Sequence, residues 1–371
     1  MRIGYLFRGY LGDIKYNSMF EEVSSPDGNA TYSWCVEWAA NKRKYILIPL
    51  GENLDHPAAM TFGENLFSAF SKDRRSKSYI RMFENGWYNM SNRLFPEVDV
   101  LLVEWRWPIK GRNTHDCIGN EDFQNDLVRQ QEVLEVYSSR KTPIVIWDLD
   151  HKITYNDEVF LKKLQTKISI IETSIIPRKF LFDRVSVYPP VVVNDLLQFD
   201  IDYKKPIYNL GYIGSRYERD ETIDKWISPI APKNTKRVLF RGKWEPKEYV
   251  ANRWPGIVFC DRIPAKEFYE NYSKCAMVPL LAKKSYYDCG FMTPRPAEAI
   301  VFGSIPIGLS EHVGVHNYCN HVANSAEELF QQSKYIKNIS PIRRKIIREE
   351  AANKLSCMDV DKFIDIVEKL C

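Results

Sequence analysis

YYDCGFMTPRPAEAIVFGSIPIG, residues 286–308, carries a helix start, a basic and an acidic residue one turn apart, and a strand after them. Pro294 and Pro296 suit the first turn of a helix, which predicts a helix starting at about Pro294. Arg295 and Glu298 then lie one turn apart on one face. Free backbone N–H groups and the helix dipole make such a start a natural place for a phosphate. After the helix, Phe302-Gly303 turns the chain into Ile305–Ile307, an apolar run that reads as a buried parallel strand. A basic residue for a pyrophosphate followed by an acid for ribose hydroxyls suggests a nucleotide-sugar pocket. Taken alone, the same spacing is equally that of an ordinary surface pair.

Working outward, apolar runs recur at 3–7, 45–50, 98–103, 143–147 and 169–171, separated by segments long enough for helices. Strand and helix alternating in this way predict parallel α/β layers. A second series begins at Ile207 and passes through 238–240, 257–259 and 276–281 before it reaches the opening stretch. The polar connector DIDYKKP, 200–206, marks a boundary between the two. We therefore expect an α/β chain of two Rossmann-like domains, 1–200 and 207–345, with C-terminal helices over 346–371 that pack back on the first domain. The 371 residues exceed what one core usually serves.

Composition narrows the class. Hydrophobic residues make up 44% and charged residues 27%, as in an ordinary globular protein. No apolar stretch approaches the roughly 20 residues of a membrane span, and Met1–Phe7 is too short for a signal-peptide core. The eight cysteines are scattered, with no spacing of a zinc site. Reduced thiols in the cytoplasm are the simplest account. Of the six histidines, His312 and His316 could share a helix face, but no third metal ligand stands near them.

Chemistry-bearing residues gather at predicted strand ends. Ser24, Ser25, Gly28 and Asn29 follow the first strand, and Gly214-Ser215 follows another, with Arg216 and Arg219 close behind. Glycine lets a ligand approach the backbone, serine donates a hydroxyl, and an arginine neutralises a diphosphate. Asp148 and Asp150 emerge from the buried run Ile144–Trp147. A carboxylate there can take a proton from an attacking hydroxyl. A DxD pair can also hold a divalent cation against a sugar diphosphate, and an aspartate can simply cap a turn. Two segments mix cations with aromatics, as suits a phosphate backbone with exposed bases. One holds Arg74, Arg75 and Lys77, the other Arg106, Lys110 and Arg112 among tryptophans. Solvated loops have the same composition.

Strand–Gly-Ser–Arg over 207–219, Ile263-Pro264 opening a helix, the Tyr/Asp loop at 286–288 and the R-x-x-E helix at 295–298 occur together in one order. In this the chain resembles the GT-B glycosyltransferases, most of all the DNA β-glucosyltransferases of T-even phages. The likeness is strongest over 207–310. It implies a GT-B fold of two Rossmann-like domains about a cleft, a UDP-sugar donor of glucose or arabinose type, and double-stranded DNA with hydroxymethylated pyrimidines as partner. It also implies a monomer working in the cytoplasm of an infected bacterium.

Carried over by residue, the likeness puts Gly214, Ser215 and Arg219 on the diphosphate, with Arg216 as the alternative. Arg295 falls on a phosphate, Glu298 on the ribose, and Tyr286, Tyr287 and Asp288 near the sugar. Asp148 takes the place of the catalytic base, with Asp150 behind it. Where the wider GT-B pattern has a first acid eight residues before the glutamate, this chain has Gly290. That departure disfavours a retaining reaction. The same fold could serve a polysaccharide, protein or small-molecule acceptor, or a nucleotide-binding protein without catalysis. A divalent cation is compatible with the residues and not demanded by them.

Overall fold

The computed structural model describes residues 1–6, 35–36, 39–51, 88–89, 95–105, 131, 133–191, 205–234, 237–261, 263 and 268–371. Two sheets carry the chain. The first takes β1 (Arg2–Leu6), β2 (Ile46–Gly51), β3 (Tyr88–Asn89), β4 (Val100–Trp105), β5 (Ile144–Asp148), β6 (Ile168–Glu172) and β7 (Arg184–Ser186). Their order is β3-β2-β1-β4-β5-β6-β7. The second takes β8 (Tyr208–Ile213), β9 (Val238–Arg241), β10 (Ile257–Cys260), β11 (Cys275–Pro279), β12 (Ile305–Leu309) and β13 (Val322–Ala323), in the order β10-β9-β8-β11-β12-β13. Every strand pair within both sheets is parallel.

The central strands are mainly apolar because each is covered on both faces, and their charged residues come at or near the strand ends. β4, β5, β11 and β12 are buried at every residue. Parallel pairing needs a crossover between neighbours, and it gathers the loops after the strands at one edge of each sheet, where open α/β sheets bind ligands. The apolar run from Val185 reads as a last strand broken by Pro189-Pro190, and the described residues show such a break. β7 ends at Ser186, and Val191 makes an isolated bridge to Asp359. Pro189 and Pro190 lie between, and proline cannot donate to a ladder.

The two edges meet. Ile175 N donates to Gly290 O at 3.1 Å, Ile176 N to Cys289 O at 3.0 Å, and Met292 N to Thr173 O at 2.8 Å. These bonds stitch the loop after β6 to the loop after the helix Lys284–Cys289. Gly290 caps that helix with φ 64, where a side chain would also press on Ile175.

The long C-terminal region is two helices with different hosts. Pro341–Lys354 packs on the second half, where Ile347 joins the core and Arg348 donates to Ile300 O at 2.5 Å. Val360–Leu370 crosses to the first half and lays Phe363, Ile364 and Val367 into a core shared with Tyr5, Val100 and Trp147. Arg43 clasps it through Asp365 at 2.7 Å and Glu368 at 2.6 Å. Among the described residues no helix is long and apolar enough to cross a membrane.

Candidate active site at the meeting of the two sheet edges

On the second half, the site is built at the end of β8. Arg295 heads the helix Arg295–Val301, with Pro294 as its N-cap. Its guanidinium reaches back over the Tyr212 ring, 4.6 Å from the centroid, and its Nε donates to Ile213 O at 3.2 Å. Gly214 permits this approach. A Cβ there would lie 2.8 Å from the Tyr212 ring and 2.9 Å from an Arg295 nitrogen. Behind it, Gly242 has φ 148, and a Cβ would collide with Gly214 O, so two glycine turns nest together at the sheet edge.

Arg219 approaches the same tyrosine at 5.8 Å and donates to three carbonyls, Leu281 O at 3.2 Å, Ser215 O at 3.1 Å and Tyr217 O at 3.0 Å. Arg216 is committed elsewhere. It pairs with Asp220, donates to Glu245 O at 2.9 Å and lies over Tyr249 at 4.8 Å. Glu298 is half-buried and accepts from the Tyr272 hydroxyl at 3.3 Å. Burial pushes its carboxyl up, with Arg295 pulling the other way.

The Tyr/Asp loop divides by direction. Tyr286 stacks on Phe291 at 4.0 Å and 24°, under the Lys283 ammonium at 4.6 Å, and meets His151 of the first half edge-on at 5.7 Å. Tyr287 turns inward: it is buried, accepts from Ala282 N at 3.0 Å and donates to Leu280 O at 3.2 Å. Asp288 points to solvent and pairs with Lys284 at 2.8 Å.

Across the seam, Asp148 ends β5 with no exposed surface and with both oxygens engaged. One accepts from Lys152 N at 2.7 Å and Ile153 N at 3.3 Å; the other takes Arg178 and, at 2.9 Å, Arg184. Glu172, its register partner on β6, holds the same two arginines and His151 Nε2 at 3.1 Å. Glu158 completes the set, with Arg184 at 2.6 Å. Burial pushes Asp148 up to about 6 despite both guanidiniums. For Glu172 burial acts the same way, but His151 and Arg178 outweigh it and bring the group down to about 2.

Asp150 sits on the turn beyond, half-buried, and its negative charge helps raise the Tyr286 phenol, after burial itself. His151 closes the turn with φ 57, a left-handed conformation histidine tolerates better than most residues.

The site therefore brings together Asp148, Asp150, Tyr286, Gly214, Ser215, Arg219, Arg295 and Glu298, and turns Arg216, Tyr287 and Asp288 away from it. Arg74, Arg75, Lys77, Arg106, Lys110, Arg112 and the Ser24–Asn29 loop lie outside the described residues. The enclosed carboxylate makes Asp148 a poor half of a DxD cation clamp, since a metal would have to displace two guanidiniums. Among the described residues no group of three or more His, Cys, Asp or Glu is arranged to hold a metal. Sequence reasoning missed Glu158, Glu172, Arg178 and Arg184. Aligning the ends of the apolar runs at 144–147 and 169–171 would have set Asp148 and Glu172 side by side.

No family model matches the sequence, and no curated protein sequence matches it. Solved structures do match. A DNA-modifying β-glucosyltransferase solved with and without uridine diphosphoglucose is 14% identical, with 100% of this chain and 99% of that one covered and a TM-score of 0.59. T4 phage BGT with UDP and Mn2+ is likewise 14% identical over the same shares, at 0.60. An α-glucosyltransferase with UDP-glucose and DNA containing an abasic site is 12% identical over the same shares, at 0.61. With two parallel sheets whose loop edges meet, and these likenesses along the whole length, the chain has the GT-B fold.

Proposed function

We propose that the chain is an inverting glycosyltransferase that moves a sugar from a UDP-sugar to the hydroxyl of a 5-hydroxymethylated pyrimidine in DNA. The observation that carries the donor half is the pair of guanidiniums, Arg219 and Arg295, converging on Tyr212 beside the open Gly214 turn. Two cations held by carbonyls and an aromatic face, one turn from a ribose-length carboxylate at Glu298, suit a nucleoside diphosphate. The fold is shared with structures solved with UDP-glucose and with DNA, which supports the choice of donor and acceptor.

The base is Asp150. Asp148 has its lone pairs filled and no exposed surface, so its task is to anchor the turn that presents Asp150 beside Tyr286. The acceptor hydroxyl gives its proton to Asp150, and its oxygen attacks the anomeric carbon opposite the diphosphate. The bond from that carbon to the diphosphate breaks, and Arg219 and Arg295 take up the leaving group's charge. A duplex base must leave the stack to reach such a seam.

Asp150→Asn should lower kcat by about 10²–10⁴-fold, the usual worth of a general base, with the UDP dissociation constant unchanged. Arg295→Met should weaken UDP. Calorimetric titration and a transfer assay read both, and full transfer by the Asp150→Asn enzyme would remove the assignment.

A further inference from the structure

Arg241 ends β9, one strand away from the Gly214 turn, and its carbonyl accepts from Gly214 N at 2.8 Å. Along β9, Val238 and Phe240 enter the core that holds Trp226, Trp244 and Trp254. Alternation sends Leu239 and Arg241 to the opposite face. That face carries Cys275 and the helix Phe268–Ser273, whose Tyr272 holds Glu298. The placement is supported by the Cys275 thiol, which burial pushes up to about 12 while Arg241 and Lys274 pull it down.

The arginine is half-buried, and its Nε has neither accessible surface nor a partner. Among the described residues its guanidinium makes no hydrogen bond or ion pair. Glu270, an acid whose carboxylate feels the Arg241 charge, is already held by Lys274 at 2.6 Å. Buried donors without partners are rare and call for an explanation. Nε itself is enclosed, so the terminal nitrogens of this half-buried cation, at a ligand-facing sheet edge on the Glu298 side of the phosphate turn, are the donors left for an acceptor from outside the chain.

If the phosphates sit at Gly214, Arg219 and Arg295 and the ribose at Glu298, the part of the nucleotide left for Arg241 is its base. We propose that Arg241 reads the base of the donor nucleotide, donating to a ring carbonyl oxygen of uracil. This rests on the nucleotide-sugar reading above. A guanidinium only donates, so it favours the carbonyl that uracil presents where cytosine and adenine present an amino group, and it selects against those bases by leaving two donors face to face.

The test is calorimetric titration of UDP, CDP, ADP and inorganic pyrophosphate into the wild type, Arg241→Met and Arg241→Gln, with thermal unfolding to confirm that each variant is folded. Losing a hydrogen bond from a charged donor should weaken UDP roughly 10- to 100-fold, leave pyrophosphate unchanged and erase the preference for UDP over CDP. Equal losses for UDP and pyrophosphate would make Arg241 a phosphate ligand and overturn the proposal, as would no loss in either variant. A wild-type protein that binds pyrophosphate but no nucleotide would instead bring down the nucleotide-sugar reading itself.

Discussion

At the scale of residues, the buried cluster around Asp148 sets what the first half can do. Three carboxylates, Asp148, Glu158 and Glu172, face two guanidiniums, Arg178 and Arg184. One negative charge is in excess, in keeping with an Asp148 raised to about 6 and a Glu172 lowered to about 2. The signs of the two linkages differ. Glu172, depressed below its ordinary 4.5, contributes stability that is present above that pH and lost as pH falls toward 2. Asp148, raised above its ordinary 3.8, contributes stability present below that value and lost as pH climbs through 6. Urea unfolding followed against pH should therefore show Glu172→Gln flattening the limb between 4.5 and 2, and Asp148→Asn flattening the limb between 3.8 and 6.

Removing Arg184, which has no exposed side-chain surface, takes a guanidinium from each of the three acids and leaves Glu158, among the described residues, with backbone donors alone, and should cost about 3–5 kcal/mol by the same measurement. The sequence pointed to the strand end and its aspartates. It was silent on the arginines, because they arrive from a loop and an edge strand some 30 residues later, and only the sheet register shows that they meet Asp148.

At the scale of elements, the seam between the sheets depends on turns that only glycine can make. Gly242→Ala combines a φ of 148 with a collision against Gly214 O. The strain should cost about 1–3 kcal/mol and, by moving the Gly214 turn, weaken UDP more than it weakens the fold; titration and urea unfolding of one variant separate the two effects. The helix Val360–Leu370 is held on the first half by an apolar face and by Arg43. Its ion pairs are partly exposed, so Arg43→Ala should cost on the order of 1 kcal/mol, and less in high salt, where exposed pairs are screened. The C-terminal helices over 346–371 were expected from the sequence. The break at 355–359 that lets the chain change hosts was not, since the short 3-10 turn Leu355–Met358 keeps an apolar pattern like that of the helices beside it.

At the scale of the whole molecule, two parallel α/β domains were legible because parallel strands buried on both faces must be written as short apolar runs, and these stand out along the chain; that the two make a GT-B fold came from the resemblance over 207–310. The positions of the residues proposed for the donor were legible for a related reason. Gly214, Arg295 and Glu298 lie at strand ends and a helix start, where local sequence dictates local geometry. Tyr287 and Asp288 show the limit: they adjoin Tyr286 in sequence, yet one turn of helix sends the three side chains to the core, the solvent and the seam.

Transfer of a sugar to DNA is directly measurable. Duplexes containing 5-hydroxymethylcytosine, and separately 5-hydroxymethyluracil, are incubated with the protein and a panel of UDP-sugars, digested to nucleosides and weighed by mass spectrometry. The expected result is a nucleoside heavier by one sugar residue with at least one donor, formed about 10²–10⁴-fold more slowly with Asp150→Asn. No added mass on either base with any donor, from a protein that binds UDP, would contradict it.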